Sequence, residues 1–209
     1  MYVPKYNREE DWASIANFIK ENGFGMLIST RDGIPEATHI PMELVEKEPG
    51  KFVIHGHISR ANLQWQAFGS EQEFLAVFTA PHAYISASWY GEDKIPTWNY
   101  IAVHVYGQTR LLNKEESELL LDNLVNRYEG GLEHGVKLAD IEAAELSSNI
   151  KAIAAFELAV DRVQARFKLS QNRHDRDYES VIDHLKAKGD ENSLQIAAEM
   201  EKRRKSARS

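Results

Sequence analysis

The chain has no cysteine among its 209 residues, which excludes a disulfide framework, a thiolate metal site and a cysteine nucleophile. That absence fits a reducing compartment, and a cytoplasmic protein is expected. No run reaches the roughly 20 apolar residues that a helical membrane span requires. Residues 1–22 carry Glu9, Glu10 and Asp11 and lack an apolar stretch followed by small residues, so no secretory signal is expected there. Positive charge is also scarce: 25 Lys and Arg stand against 32 Asp and Glu, a formal net charge of −7. Nonspecific nucleic-acid binding relies on cations that neutralise phosphates, and only Lys202, Arg203, Arg204, Lys205 and Arg208 form a basic run. That run reads as a solvated, frayed helix end rather than a DNA contact. Three signatures are missing as well: GxGxxG after a strand, a Gly-rich loop ending in GK[ST], and the GxSxG elbow. Chemistry must then use histidines, carboxylates, hydroxyls or a borrowed cofactor.

What is present predicts one main core, since 43% of the residues are hydrophobic. Trp12, Ile15, Ala16 and Ile19 recur at helical spacing, with Asn7 and Glu10 as a capping box and Gly23 as the stop. The period then shortens, and residues 24–30, 35–45, 51–57 and 73–80 read as strands. Asp32-Gly33 and Pro49-Gly50 mark the turns between them. A fifth strand begins near Asn99, where both faces carry bulky groups. A helix runs from a capping box of Asn113 and Glu116 to Gly130-Gly131, and a shorter helix covers about 138–147. Residues 156–169 read as a last strand with a bulge at Asp161-Arg162. Two helices follow, split by Gly189, the second capped by Asn192 with Gln195. The expected class is α+β, mostly antiparallel, with a barrel at its centre. The expected domain covers 1–173, with helices inserted at about 114–147, and a C-terminal helical extension, 174–209, packs on it.

Four places carry candidate chemistry. In His55-Gly56-His57-Ile58-Ser59-Arg60-Ala61-Asn62, alternation puts both histidines on one face. They could ligate a metal, although no further ligand stands at a recognisable spacing. Alternatively Ser59, Arg60 and the amides of a short helix from about Ala61 converge on an anion, a geometry that suits a phosphate. An ordinary strand-to-helix turn with an exposed Arg looks the same. Lys168 and Ser170 share a face at another polar strand end, where Gln171 or Asn172 could bond to the edge of a heteroaromatic ring. The aromatic stretches 81–90 and 96–100 can wall a flat ligand or anchor a dimer interface, or simply pack a core. Their Trp89, Tyr90 and Trp98 flank a loop at 91–95. His39 lies beside Pro41, which removes a ladder donor, so a bulge or edge is expected there.

Thr38–Pro41, Gly56–Trp65, Pro81–Tyr90, Pro96–Gly107 and Lys168–Arg173, with the opening Met1-Tyr2-Val3-Pro4-Lys5-Tyr6, resemble in order the PaiB family of FMN-binding negative transcriptional regulators. The likeness spans roughly residues 1–200. It implies the FMN-binding split β-barrel shared with pyridoxamine phosphate oxidase-like flavoproteins, in which two subunits pair with FMN at their interface. Carried over by position, Ser59 and Arg60 bind the phosphate, Lys168 and Ser170 add the later strand's contribution, and Thr38, His39 and Ile40 lie along the flavin ring. His57, Asn62 and Gln171 complete the candidate set. Where an oxidase strand would bring an Arg to the phosphate, this chain has Glu36-Ala37. The implied function is repression of sporulation and degradative-enzyme genes, with DNA as a partner by resemblance only. The C-terminal helix pair has a spacing loosely like a helix-turn-helix, but its acidic residues would repel phosphate, and a helical cap is the better reading. The rivals are a flavin-dependent oxidoreductase, a haem-handling relative of the same fold, and a cupin-like metal protein using His55 and His57.

Overall fold

Asp32 (φ 52) and Gly33 (φ 79) are both left-handed, the geometry of a two-residue hairpin turn whose twist matches the strands it joins. The turn connects β2 (Phe24–Arg31) to β3 (Ile34–Glu48). β3 is longer than its apolar pattern predicts because it serves two partners. Residues 34–41 pair with β2, and residues 42–48 pair with β4 (Lys51–Ser59). Pro41 sits at the exchange, where its missing N–H costs least, and Met42 N–H donates to the Gly23 carbonyl at 2.8 Å.

The computed structural model describes residues 1–91 and 95–208, the last four by backbone alone. Residues 92–94 of the expected loop, and the side chains of Lys205 and Arg208, lie outside the described residues. The remaining strands are β1 (Arg8–Glu9), β5 (Phe74–Ile85), β6 (Thr97–Gly107), β7 (Thr109–Leu111), β8 (Ile153–Ala159) and β9 (Arg162–Lys168). The helices are α1 (Trp12–Glu21), α2 (Lys114–Glu129), α3 (Ala143–Ala152), α4 (Asp175–Lys188) and α5 (Glu191–Arg208). Strand order in the sheet is β1-β9-β6-β5-β2-β3-β4-β8-β7.

The chain forms two compact units, each assembled from separated segments. Unit one comprises 1–18, 78–104 and 164–209; unit two comprises 19–77 and 105–163. The core of unit two is built on Leu27, Met42, Ile54, Phe74, Phe156 and Leu158, all buried. The Phe68 ring lies 5.4 Å from that of Phe74 and 4.9 Å from that of Phe156. Unit one buries Phe78, Ile85, Ile101, Leu169, Leu185 and Met200. There Phe18 meets Phe167 edge-on at 5.7 Å.

Four expectations change. The α1 cap is Asp11, whose carboxylate accepts from Ser14 N–H at 2.8 Å and Ser14 Oγ at 2.7 Å; Asn7 is instead buried in a 3-10 turn. Asp190 caps α5 through Ser193 in the same way, at 3.0 and 2.7 Å, in place of Asn192. In both places an Asp-x-x-Ser pattern lies beside the predicted capping box, and the Asp carboxylate, an anion favoured at a helix N-terminus, takes the position. The last strand is two strands, because the hydrogen-bonding partner changes although alternation continues. β8 pairs with β4 and β7, β9 pairs with β1, and Val160-Asp161 is the passage between them, with Arg162 opening β9 in place of a bulge. Two residues of the basic helix end, Arg203 and Arg204, are engaged rather than left to solvent: Arg203 pairs with Glu9 and lies 4.3 Å over the Phe167 ring. Arg204 pairs with Asp175 at 3.2 Å and Glu179 at 3.0 Å.

Candidate functional site

β4 separates core from chemistry by alternation. Ile54, Gly56 and Ile58 face inward, and a Cβ on Gly56 would stand 2.8 Å from the Phe156 ring, so only glycine lets that ring close over the strand. His55, His57 and Ser59 therefore face the other way. His55 Nε2 lies 3.1 Å from Glu157 Oε2. Glu157 also takes Arg110 Nε at 2.9 Å and Lys47 Nζ at 3.0 Å, and Arg110 reaches on to Glu116 at 2.8 Å. Burial pushes the Glu157 pKa up, but the bonds from Arg110, His55 and Lys47 outweigh it and hold the group at about 2. His55 is thus committed to a carboxylate. Among the described residues no group of three or more His, Cys, Asp or Glu is placed to hold a metal ion. The His57 ring is half-buried with no partner for Nδ1, and burial lowers its pKa, favouring the neutral imidazole.

At the end of β4 the polar groups are open. Ser59 and Arg60 are exposed, and the Arg60 backbone is anchored from both sides: its N–H donates to the Ala152 carbonyl at 2.8 Å, and its carbonyl accepts from Trp65 Nε1 at 3.0 Å. The guanidinium rests 4.9 Å from the Trp65 ring centroid and has no ion-pair partner among the described residues. Asn62 caps the 3-10 turn Leu63–Ala67 by accepting from Gln64 N–H at 3.0 Å. It also donates to Thr38 Oγ1 at 2.8 Å, and Thr38 donates in turn to Gln64 Oε1 at 2.7 Å. Gln64, buried and bonded onward to Ser29 at 2.9 Å, holds this network together. Sequence reading missed it, and the only available signal was its place in the Asn-x-Gln capping run.

Thr38 and Ile40 share one face of β3, Ile40 in the core, while His39 is exposed on the other. Their side chains cannot all meet one ligand from the same side. They do share a backbone edge: residues 34–41 pair with β2 on one side, and β4 takes up pairing only from Met42.

The end of β9, in unit one, is closed. Lys168 Nζ donates to Thr97 Oγ1, and burial, then Arg166 and Arg173, lower its pKa. Ser170 is left-handed (φ 62) and 4% exposed, and its hydroxyl exchanges bonds with the Asn99 amide at 3.0 and 3.2 Å. Gln171 accepts from Leu169 N–H at 2.7 Å and donates to the Phe167 carbonyl. The aromatic stretch divides. Trp89 stacks on His184 of α4 at 5.0 Å, whereas His82 and Tyr84 gather around an exposed Trp98, each 5.8 Å away.

This strand order defines an α+β protein of the split-barrel fold. Two solved structures share the fold. The FAD and heme binding protein from Mycobacterium smegmatis superposes with a TM-score of 0.63 at 17% identity, covering 83% of this chain and 80% of that one. The flavocytochrome Anf3 from Azotobacter vinelandii does so with a TM-score of 0.62 at 17% identity, over 85% and 78%. Residues 1–162 match the family described as "Putative FMN-binding domain", and the chain belongs to that family. A relative from Bacillus subtilis (strain 168), Protease synthase and sporulation protein PAI 2, is 39% identical over 201 residues, 96% of this chain and 97% of that protein.

Proposed function

We propose that this protein holds FMN and acts as a cytoplasmic homodimer that represses transcription, with the cofactor at the subunit interface. The observation that carries the reading is Arg60: an exposed cation at a strand end, anchored by its backbone and free of any ion pair among the described residues. An unpaired guanidinium with a fixed main chain suits a phosphate monoester. Arg60 and the Ser59 hydroxyl hold the phosphate. The free edge of β3 at Thr38, His39 and Ile40 offers main-chain groups to the polar rim of the ring, with Asn62 fixing Thr38 and neutral His57 as a further polar neighbour. The family resemblance implies a further contribution from Lys168, and Ser170 and Gln171 serve by holding the shape of the β9 end. FMN when bound supplies one-electron and hydride chemistry, and the protein's part is to hold and orient it.

The regulatory half of the reading is supported by the likeness to the sporulation protein from Bacillus subtilis. The α4–α5 pair reads better as a helical cap than as its DNA reader: Arg203 and Arg204 are engaged by Glu9, Asp175 and Glu179. The test is to purify the protein, titrate it with FMN by flavin fluorescence, and measure its mass by sedimentation with and without FMN. Saturable binding to a dimer is expected. A monomer indifferent to FMN would contradict the reading. Salt-dependent binding to its own promoter DNA tests the regulatory half, and turnover of a reduced nicotinamide without DNA affinity would favour the oxidoreductase instead.

A further inference from the structure

Beside the end of β4, unit two has a cavity of about 220 Å³ bounded by the start of α2 and the end of α3. Its polar lining is Arg60, Asn113, Lys114, Ser117, Ser147 and Lys151, and no carboxylate lines it. Three cations around one small space are unusual in a chain of net charge −7, and like charges this close repel unless something negative stands between them. Nothing of the protein does so adequately. Arg60 and Lys151 have no ion-pair partner among the described residues, and Lys114 has only Glu118 at 3.6 Å on its own helix. The nearby Glu116 carboxylate is not among the lining and is engaged by Arg110 at 2.8 Å and the Asn113 N–H at 2.9 Å.

We infer that this cavity binds a phosphate group, gripped by Arg60 from β4, Lys114 from α2 and Lys151 from α3. Ser147, half-buried and with no side-chain hydrogen bond among the described residues, is a hydroxyl donor to the same oxygens. Ser117 is not, because its hydrogen goes to the Asn113 carbonyl at 2.6 Å. Size sets the chemical class: the space holds on the order of seven water volumes and is smaller than the roughly 300 Å³ at which pockets for drug-sized ligands begin. It takes the phosphate and leaves any ring outside. The phosphate belongs either to FMN, in which case the inference rests on the flavin reading through their shared Arg60, or to a separate small phosphate compound.

The experiment uses the whole chain and the double variant Lys114→Ala/Lys151→Ala, whose substituted side chains are both exposed, with binding of inorganic pyrophosphate measured by calorimetry and thermal shift at constant ionic strength. Saturable binding to the natural protein, weakened about tenfold or more in the variant, is expected. Absence of saturable binding, or equal binding by both proteins, overturns the inference. FMN then identifies the source. Competition between FMN and pyrophosphate, with Lys151→Ala weakening FMN but not riboflavin, assigns the cavity to the flavin phosphate. Simultaneous binding assigns it to a separate phosphate compound. A protein that binds pyrophosphate and no FMN refutes the flavin reading while leaving the cavity assignment standing.

Discussion

The ends of β4 and β9 both leave an apolar strand through a run of hydroxyl, amide and cationic residues, Ser59-Arg60-Ala61-Asn62 in one and Lys168-Leu169-Ser170-Gln171 in the other. At β9 the run folds back on itself: Ser170 is buried against Asn99, and Gln171 closes on the main chain of Phe167 and Leu169. At β4 the main chain of Arg60 is satisfied from elsewhere, by Ala152 and Trp65; Ser59 Oγ accepts from the Ala61 N–H at 3.2 Å, and the Arg60 guanidinium has no ion-pair partner among the described residues. The difference follows from burial. A hydroxyl or amide removed from water must find a partner inside the protein, whereas an exposed guanidinium need not, and keeps its capacity for a ligand. One strand end is therefore predicted to matter chiefly for stability and the other chiefly for binding.

The largest effect expected from this contrast is at Asn99. It is fully buried, and Asn99→Ala leaves the Ser170 hydroxyl unpaired, costing about 2–3 kcal/mol; urea unfolding measures it, and a loss below about 0.5 kcal/mol would erase the contrast. Next comes the carboxylate on the β4 face. Glu157 is held at about 2 against an ordinary value of 4.5. A depressed carboxylate contributes stability that is fully present above pH 4.5 and is lost as pH falls through about 2. Acid titration of unfolding should show this loss, about 2 kcal/mol, and Glu157→Gln should remove it. Arg60→Ala follows, with a stability change within about 0.5 kcal/mol but FMN affinity reduced about tenfold to a hundredfold. The smallest effect is expected from Lys168→Met. Burial and the neighbouring Arg166 and Arg173 already disfavour its charge, so stability should move by under about 1 kcal/mol, and FMN affinity should fall less than in Arg60→Ala.

Alternation made most of the strands legible, and with them the shared face of His55, His57 and Ser59, because a strand buried on one side imposes a period of two on its side chains. The capping box at Asn113 and Glu116 was readable for a similar reason, since both partners lie within one turn. Alternation is silent about partners. It could not reveal that β3 changes neighbours at Pro41, or that the run after Ile153 is two strands on different neighbours. Nor could it show that Gln64 ties Thr38 to Ser29, since those contacts span 26 and 35 residues of chain. Lys114 and Lys151 were invisible as site residues because only the placement of α2 and α3 brings them beside Arg60.

The central claim is that Arg60 recognises the phosphate of a flavin, and it is tested most directly by comparing FMN with riboflavin, which lacks that phosphate. Flavin fluorescence titration should show the natural protein preferring FMN by at least about tenfold and Arg60→Ala losing that preference while still binding riboflavin as before. Equal affinity for the two flavins in the natural protein, or a preference for FMN that survives in Arg60→Ala, would contradict the account.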